Sequence, residues 1–267
     1  MKLGIAYNIF DGEEILPFAL KNLRGFADFI VVVYQTTSNY GNINHNLFPV
    51  LVELKEQGLI DMLYEYEPNI RRDEKGEIDW KSGTLNEVEK RDIGLKICRA
   101  NNCDTYMTLD CDELYDPQQF EWAINDFEKT GYDTSFTLTY NFYKLPTMQL
   151  LNQHLWYQPL FYKIKEDSKI EMQKNYPVNI DRTKMIKTNF PVIYKSEEII
   201  QYHYAYVRHN LKSKVNNSSA RSDNQQEESK KIIDFYDNWS GIENGALTIG
   251  MIKKPLKEVD NKFNIIL

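Results

Sequence analysis

The first half of the chain alternates between two hydrophobic periods, and this alternation constrains the fold more than any other feature of the sequence. Residues 3–8 and 29–34 are short apolar runs of the kind that forms buried strands. Residues 15–23 and 84–100 instead carry apolar side chains at helical spacing. Strands that alternate with helices form βαβ units, because two parallel strands need a crossover between them. The sequence therefore predicts an α/β fold with a mainly parallel central sheet and helices on both faces.

The regular alternation loosens in the second half of the chain. Residues 135–143, 155–164 and 199–206 are predicted to be strands, and they are rich in aromatic side chains. The stretch after residue 215 is polar and indicates a loop or hinge. We therefore predict one domain over residues 1–215 and a C-terminal helical extension over residues 216–267.

The charge balance argues against one class of partner. The chain carries 39 acidic and 32 basic side chains, with a net charge of −7. Binding of nucleic acid by bulk electrostatics needs concentrated lysine and arginine. We therefore expect no nucleic-acid partner.

Cysteine content and hydropathy bear on the compartment. The three cysteines lie within residues 98–111, an odd and clustered set that is typical of a reducing compartment. The N-terminal residues lack the pattern of a signal peptide, and no window reaches the roughly 18 apolar residues of a membrane span. We expect a cytoplasmic protein without a transmembrane segment, and peripheral contact with a membrane stays open.

Two aspartates follow the fourth predicted strand directly. Asp110 and Asp112 lie two residues apart, so in an extended segment both carboxylates point to the same side. Paired oxygen donors suit Mn²⁺ or Mg²⁺, which binds substrate phosphates as well as protein carboxylates. A solvated acidic turn ahead of the helix near Pro117 explains the same pattern, and the residues alone leave both interpretations open.

The segment 106–115, YMTLDCDELY, places this aspartate pair between a strand and a helix at the end of a βαβ region. In this placement it resembles the GT-A glycosyltransferases, and in particular the family 2-like enzymes. Further landmarks follow in the same order along the chain, namely Asn8, Gln35, Thr36, Lys90, Arg91 and the segment 203–208, HYAYVR. Many relatives end strand two on an aspartate, whereas this chain has Gln35 and Thr36 there. The resemblance implies a GT-A fold, with a Rossmann-like nucleotide-sugar half over residues 1–113 and a mixed acceptor half over residues 114–215.

The same resemblance implies a function and a set of site residues. It implies metal-dependent transfer of a sugar from a nucleoside diphosphate sugar, UDP-linked by expectation, to a hydroxyl acceptor such as a glycan or glycolipid. Asp112 would bind Mn²⁺ or Mg²⁺ directly together with His203, and Asp110 would bind the metal through water or hold the ribose of the donor. Asp112 and Glu113 would be the catalytic residues. The residues implied in binding the nucleotide sugar are Tyr7, Asn8, Gln35, Thr36, Lys90, Arg91, Asp110 and Arg208.

An inverting transfer also needs a carboxylate base near the acceptor hydroxyl. The candidates in the sequence are Glu113, Asp133, Glu197 and Glu198. The sequence does not choose among them. An acceptor sugar is expected to stack on Trp156 and Tyr157, although packing inside the sheet explains the same residues. Replacing Asp112 by asparagine is expected to abolish metal-dependent transfer with little loss of thermal stability.

Two other functions stay open. A nucleotidyltransferase acting on sugar phosphates would also bind a nucleotide and a metal. Such enzymes open with a glycine-rich loop after strand one, where this chain has residues 8–12, NIFDG. A non-catalytic carbohydrate-binding protein on a degenerate transferase fold would bind glycans without metal-dependent binding of a donor.

Overall fold

The computed structural model describes residues 1–79, 81–151, 156–218, 225–239, 246–249 and 252–267. The strands of the first half are β1 (Leu3–Ile9), β2 (Phe29–Tyr34), β3 (Met62–Glu65), β4 (Thr105–Asp110) and β5 (Glu113–Tyr115). The later strands are β6 (Thr134–Tyr143), β7 (Leu145–Leu150), β8 (Tyr157–Lys163), β9 (Pro191–Ile193), β10 (Ile200–Tyr206), β11 (Ala246–Ile249) and β12 (Ile252–Glu258). The helices are α1 (Leu16–Leu23), α2 (Leu47–Glu56), α3 (Lys81–Ala100), α4 (Pro117–Thr130), α5 (Leu211–Asn217) and α6 (Gln225–Asn238), and a short 3₁₀ helix covers Arg182–Lys184.

Four parallel strands form the first half of the central sheet, in the order β3–β2–β1–β4. Every residue of β1 is buried, and so is all of β2 after its first residue. Strands that are covered on both faces read as continuous apolar runs, which is why the sequence marks them clearly. The structure confirms the predicted α/β class and its Rossmann-like first half.

The second half of the sheet is mixed, as predicted. β8 runs antiparallel to β4, and β6 runs antiparallel to β8, so β6 points the same way as β4. β10 pairs in parallel with β6 and antiparallel with β5. These pairings bring β10 next to the segment that follows β4.

Helices cover both faces of the parallel strands, which confirms another part of the prediction. On one face, side chains of α1, α2 and α4 pack in a core that includes Ile5 and Val32. On the other face, α3 packs in a core that includes Ala6, Val33 and Tyr106. Neighbouring residues of β1 enter different cores, because successive side chains of a strand point to opposite faces.

Helix α3 approaches the sheet closely at one glycine. A Cβ atom on Gly94 would lie 2.6 Å from Cβ of Ala6 and 3.1 Å from the hydroxyl oxygen of Tyr106. A larger residue there would force the helix away from the sheet. Lys90 and Arg91 lie one turn earlier on the same side of the helix. The close approach at Gly94 therefore also fixes the distance of their backbone from the sheet.

The C-terminal segment differs from the predicted helical extension over residues 216–267. α6 is a helix, but β11 and β12 follow it, and β12 pairs antiparallel with β7. Pairing with β12 gives partners to backbone groups of β7 that would otherwise lie at an edge of the sheet. The predicted boundaries after residues 113 and 215 fall inside β5 and α5, and both stay predictions. In the part of the chain that the structure describes, no helix is long and apolar enough to cross a bilayer.

Candidate active site

The carboxyl ends of β1, β2 and β4 lie side by side, and three predicted site residues are found there. Asn8 is the register partner of Asp110 across the β1–β4 pair. The backbone amide of Gln35 donates to the carbonyl oxygen of Ile9 at 3.1 Å, which brings the end of β2 to the same place. Open α/β sheets bind ligands in the crevice beyond such strand ends. The position of this cluster is that of a ligand site.

Asp110 is the more exposed of the two aspartates, with 29% of its side chain accessible. Its Oδ1 accepts a hydrogen bond from Nη2 of Arg91 at 2.8 Å, and its Oδ2 lies 3.1 Å from Nζ of Lys184. Burial alone would raise the pKa of this carboxyl, but Arg91 and Lys184 outweigh burial and lower the pKa. Asp110 is therefore ionised at neutral pH, with a cation on each of its oxygens.

Asp112 is completely buried. Its Oδ2 accepts a hydrogen bond from Nη2 of Arg208 and lies 3.6 Å from Nζ of Lys214. Burial opposes ionisation, but Lys214 and Arg208 outweigh it and hold the pKa of Asp112 well below its usual range. Its other oxygen, Oδ1, has no hydrogen-bond partner among the described residues. An anionic oxygen in this state is a suitable ligand for a cation.

His203 reaches Asp112 because β10 is held on both sides. The register places His203 beside Glu113 of β5 and Asn141 of β6, and the amide of Tyr204 donates to the carbonyl oxygen of Asp112 at 2.8 Å. Nε2 of His203 lies 3.5 Å from Oδ1 of Asp112, and Nδ1 lies 2.9 Å from Oδ1 of Asn141. When Nδ1 carries the proton and donates it to Asn141, Nε2 keeps a lone pair on the side of Asp112.

Two of the three predicted metal ligands fit a divalent cation. Oδ1 of Asp112 and Nε2 of His203 are neighbouring oxygen and nitrogen donors, a set that suits Mn²⁺. Asp110 does not fit as a direct ligand, because Arg91 and Lys184 hold its two oxygens. The described residues contain no group of three or more Asp, Glu, His or Cys side chains placed to hold a metal. The donor set is that of an open site, which waters and substrate phosphates would complete.

A cavity of about 110 Å³, here called the donor cavity, opens at this edge of the sheet. Asn8 and Gln35 line it, and the side-chain oxygens of both are buried acceptors without a hydrogen-bond partner in the described residues. Their nitrogens are engaged, since Nδ2 of Asn8 donates to Thr108 at 3.2 Å and Nε2 of Gln35 donates to the carbonyl of Thr37 at 2.9 Å. Buried acceptors of this kind need a donor from a ligand or from water.

Cationic side chains line the donor cavity from two helices. Lys90 and Arg91 come from α3 and are buried, and Lys214 comes from α5. Nζ of Lys90 lies 2.7 Å from Oε1 of Glu87, which compensates its buried charge. Fixed cations beside a crevice stabilise the negative charge of a phosphate group.

Three residues predicted to bind the donor do not line the donor cavity, namely Tyr7, Thr36 and Arg208. Tyr7 is wholly buried in the core that faces α1, and its hydroxyl donates to the carbonyl oxygen of Ala19 at 3.0 Å. Its side chain lies on the opposite face of β1 from that of Asn8, because neighbours on a strand alternate. Thr36 donates to Oε1 of Glu65 at 3.2 Å, and Arg208 donates to Asp112. Binding of the donor by these three residues stays a prediction.

Glu113, predicted as catalytic, is not placed to receive a proton from an acceptor. Its side chain is only 1% exposed. Oε1 lies 2.6 Å from Nζ of Lys184, and Oε2 accepts from the backbone amide of Asp110 at 3.0 Å. Glu113 therefore holds Asp110 and Lys184 in position and is closed to an acceptor.

The other three base candidates lie at the opposite edge of the sheet. Asp133 precedes β6, and Glu197 and Glu198 precede β10. Both strands run in the same direction as β4, so their starts lie far from its carboxyl end. Asp133 forms an ion pair with Lys165 at 2.8 Å. The structure therefore does not bring these three residues together with the aspartate pair.

Trp156 and Tyr157 lie where β8 begins. Because β8 runs antiparallel to β4, this is the same edge of the sheet as the aspartates. Trp156 is 43% exposed, whereas Tyr157 packs partly against Phe136 and Ile180. Neither lines the donor cavity, and their contact with an acceptor stays a prediction.

The sequence did not identify Lys184 or Lys214 as site residues. Lys184 lies in the 3₁₀ helix, which begins where Oδ1 of Asp181 accepts from the amide of Thr183 at 2.9 Å. The same threonine accepts from Nε of Arg91 at 3.2 Å, which ties this turn to α3. An aspartate two residues before a threonine marks a turn in sequence, but it does not reveal that the turn meets α3.

Comparisons with known proteins show similarity of fold only. No protein-family model matches the chain, and no curated protein matches its sequence. The chain is similar to a structure of residues 1–349 of S. aureus TarS, with a TM-score of 0.48 and a sequence identity of 11%. The match covers 89% of this chain and 71% of that one.

Two further solved structures are less similar. A structure of GalNAc-T7 with UDP, GalNAc and Mn²⁺ has a TM-score of 0.38 and 13% identity, covering 53% of this chain and 23% of that one. A structure of glucosyl-3-phosphoglycerate synthase from Mycobacterium tuberculosis, in complex with Mn²⁺, UDP and phosphoglyceric acid, has a TM-score of 0.31 and a sequence identity of 10%. That match covers 52% of this chain and 43% of the synthase chain. Similarities of this size do not identify the chain, so the function is inferred from the site.

Proposed function

We propose that the chain is a metal-dependent glycosyltransferase of the GT-A type, family 2-like, which transfers a sugar from a nucleoside diphosphate sugar to a hydroxyl acceptor. One observation carries the proposal. The ionised pair Asp110 and Asp112 follows the strand that ends beside Asn8 and Gln35, whose buried amide oxygens have no partner in the described residues. A crevice with unpaired acceptors, fixed cations and paired carboxylates matches the base, the diphosphate and the metal of such a donor.

The donor is proposed to be UDP-linked. The oxygens of Asn8 and Gln35 are placed to accept hydrogen bonds from a base, and uracil carries an N–H donor. Lys90, Arg91 and Lys214 would lie near the diphosphate, because they line the same cavity. The acceptor is proposed to be a glycan or glycolipid, and three free cysteines support a cytoplasmic location.

Asp112 and His203 would hold a divalent cation, Mn²⁺ or Mg²⁺, which when bound supplies Lewis-acid stabilisation to the departing diphosphate. Arg208 would support the same step through Asp112, because its guanidinium donates to that carboxylate and does not line the donor cavity. Its guanidinium lies so close to Gly12 that a Cβ atom there would lie 1.5 Å from Nη1. Because this packing and Asp112 fix the guanidinium before the donor binds, its charge needs no reorganisation during the reaction.

The position of Arg208 also argues against a nucleotidyltransferase. Such enzymes need open space and free backbone amides in a glycine-rich loop after strand one. Here the space over Gly12 is filled by the guanidinium of Arg208. The loop therefore has no room for a phosphate over its glycine.

A thermal-shift screen of nucleoside diphosphates and their sugars, with and without MnCl₂, tests the proposal. We expect UDP and a UDP-sugar to raise the Tm only when Mn²⁺ is present. At a free ligand concentration of about 100 times Kd the gain is about 2.7 kcal/mol, or roughly 5–10 °C. The variant His203→Gln should lose the metal-dependent part of this shift and keep the Tm of the free protein.

Product analysis separates the alternatives. Release of UDP from a UDP-sugar indicates glycosyl transfer, whereas release of pyrophosphate indicates nucleotidyl transfer. Stabilisation by saccharides, without any shift from a nucleotide, would instead show a carbohydrate-binding protein. The absence of a shift with every nucleotide, in the presence and in the absence of Mn²⁺, would refute the proposed function.

A further inference from the structure

A second cavity of about 650 Å³, here called the outer cavity, lies next to the donor cavity. The β1–α1 loop, residues 42–46 ahead of α2 and residues 208–217 around α5 form its walls. Six asparagines line it, namely Asn42, Asn44, Asn46, Asn210, Asn216 and Asn217. An amide carries two N–H donors and one carbonyl acceptor, which can pair with sugar hydroxyl groups. Asn42, Asn44, Asn210 and Asn217 use part of this capacity in hydrogen bonds within the protein.

The charges in the outer cavity favour a neutral ligand. The permanently charged side chains in its lining are Asp11, Glu13, Glu14, Arg208 and Lys214. Both cations are already paired with Asp112, and Nη1 of Arg208 also lies 3.8 Å from Oε2 of Glu14. An anionic ligand would therefore find no uncompensated cation among these groups. A neutral molecule rich in hydroxyl groups fits this lining best.

Asp11 lies at the junction of the two cavities. It lines both of them, together with Phe10, Lys214 and Asn217. Its Oδ2 is buried and has no hydrogen-bond partner among the described residues. The carboxylate of Asp11 thus lies between the two cavities, and no hydrogen bond from the described residues engages its Oδ2.

The neighbouring carboxylates differ from Asp11 in both respects. Glu13 and Glu14 line the outer cavity only. Both oxygens of Glu13 lie 3.3 Å from Nδ2 of Asn44, and Oε1 of Glu14 accepts from the amide of His209 at 3.3 Å. Asp11 is therefore the acid of this loop that combines contact with both cavities and an unpaired oxygen.

We propose that the outer cavity binds a neutral carbohydrate acceptor and that Asp11 is the catalytic base of the transfer. This inference rests on the proposed glycosyl transfer and names its acceptor class and its base. The acceptor oxygen forms a bond to the anomeric carbon of the donor as the bond from that carbon to the diphosphate breaks. The electron pair of the broken bond leaves with the diphosphate, and the hydroxyl proton passes to the carboxylate of Asp11. Attack from the opposite face inverts the anomeric centre.

Two variants separate catalysis from acceptor binding. Asp11→Asn preserves the shape of the side chain and breaks no hydrogen bond of Oδ2, so the variant should still fold and should still show an Mn²⁺-dependent shift with UDP. Transfer to an acceptor should fall about 10²–10⁴-fold in kcat. Asn46→Ala removes an amide that lines the outer cavity and should raise the acceptor KM about fivefold, with kcat unchanged. Glu121→Gln, on the exposed surface of α4, is the matched control and should leave both constants unchanged.

The acceptor probes are a panel of neutral disaccharides. Their phosphorylated counterparts test whether the cavity binds an anionic ligand instead. Saturation-transfer NMR measures binding, and UDP release from a UDP-sugar measures turnover. We expect neutral disaccharides to bind to the wild type and to Asp11→Asn alike. If the wild type binds and transfers its donor and Asp11→Asn turns over just as fast, the assignment of the base is overturned. The proposed glycosyltransferase activity then still stands.

Other outcomes are equally decisive. Binding of the phosphorylated counterparts alone, or an acceptor KM that Asn46→Ala does not change, overturns the assignment of the cavity. If Asp11→Asn does not fold, the KM of Asn46→Ala still decides whether the cavity binds the acceptor. A wild type that binds no nucleotide refutes the proposed function itself, and the inference fails with it.

Discussion

Replacing Asp112 by asparagine tests the buried charge balance of the site. The sequence alone predicts little loss of thermal stability for this substitution. In the structure the side chain of Asp112 is 0% exposed and is paired with Arg208, which is itself only 2% exposed. Asparagine keeps the shape of the side chain and removes its charge, so the guanidinium is left buried without its nearest counter-charge. We therefore expect a clear loss of stability, contrary to the expectation from sequence.

The size of the loss follows from what remains around Arg208. Removal of one partner from a buried ion pair costs about 3–5 kcal/mol. Nη1 of Arg208 keeps Oε2 of Glu14 at 3.8 Å, and its Nε donates to the carbonyl oxygen of Ala205 at 3.3 Å. These remaining contacts put the expected loss near the lower limit, about 3 kcal/mol. For a chain of this size, such a loss lowers the Tm by about 6–12 °C.

Calorimetry and urea unfolding at neutral pH, without nucleotide or metal, measure this loss. Asp61→Asn is the matched control, because Asp61 is 37% exposed and its partner Arg24 is 24% exposed. We expect a cost of about 1 kcal/mol for the control. A Tm of Asp112→Asn within about 2 °C of the wild type would refute the reasoning, as would a larger loss for Asp61→Asn.

Two further predictions concern stability away from the aspartate pair. Asp133→Asn should lower the free energy of unfolding by about 2 kcal/mol at pH 7. The reason is that the pKa of Asp133 is lowered from 3.8 to about 2 in the folded protein. Burial alone would raise this pKa, but hydrogen bonds from Lys165, Thr188 and two backbone amides outweigh burial. This stabilisation is present above about pH 4 and is lost as the pH falls toward 2, so urea unfolding should show wild type and variant converging over that window; a constant difference would contradict it. Gly94→Ala should cost about 1–3 kcal/mol, because its Cβ would lie 2.6 Å from that of Ala6, whereas a Cβ on Gly25 meets nothing within 4 Å. Equal Tm values for Gly94→Ala and the control Gly25→Ala would contradict the close approach of α3.

The first half of the fold was predictable because its signals are local. Buried parallel strands require unbroken apolar runs, and β1 and β2 have them. Once the strands are known to be parallel neighbours, their carboxyl ends must meet, so Asn8 and Asp110 could be placed at one edge from the sequence. Local periodicity and a rule of topology together sufficed for this part of the site.

Helix α3 shows why hydrophobic periodicity alone misplaced the buried face of a helix. The sequence predicts a helix over residues 84–100 with an apolar face through Val88, Ile93, Leu95 and Ile97. Of these, only Leu95 is buried, and the helix buries Asn86, Lys90, Arg91 and Gly94 instead. Hydrophobic periodicity finds the stripe that packs in a core, but a helix that carries a polar site also buries polar residues.

The cations on the aspartates come from distant parts of the sequence. Lys184 pairs with Glu113 across 71 residues, from a polar stretch without regular periodicity, and Lys214 reaches Asp112 from α5. β12 presents a similar difficulty, because its segment carries Lys253, Lys254 and Pro255 and does not resemble a strand. β12 pairs with β7, which lies about a hundred residues earlier in the chain and would otherwise have an unpaired edge. No local pattern in the sequence encodes such a distant pairing.

The charges of the assembled site bear on the proposed binding of a metal and a nucleotide. Seven carboxylates line the donor cavity or pair with a cation of the surrounding site, namely Asp11, Glu14, Glu87, Asp110, Asp112, Glu113 and Asp181. The permanent cations are Lys90, Arg91, Lys184, Arg208 and Lys214. Seven negative against five positive charges leave an excess of two, to which a diphosphate adds more, so repulsion opposes binding of the donor alone. In the proposed function, a divalent cation at Asp112 and His203 would offset this excess. The metal and the donor would then each raise the affinity of the site for the other by the same factor.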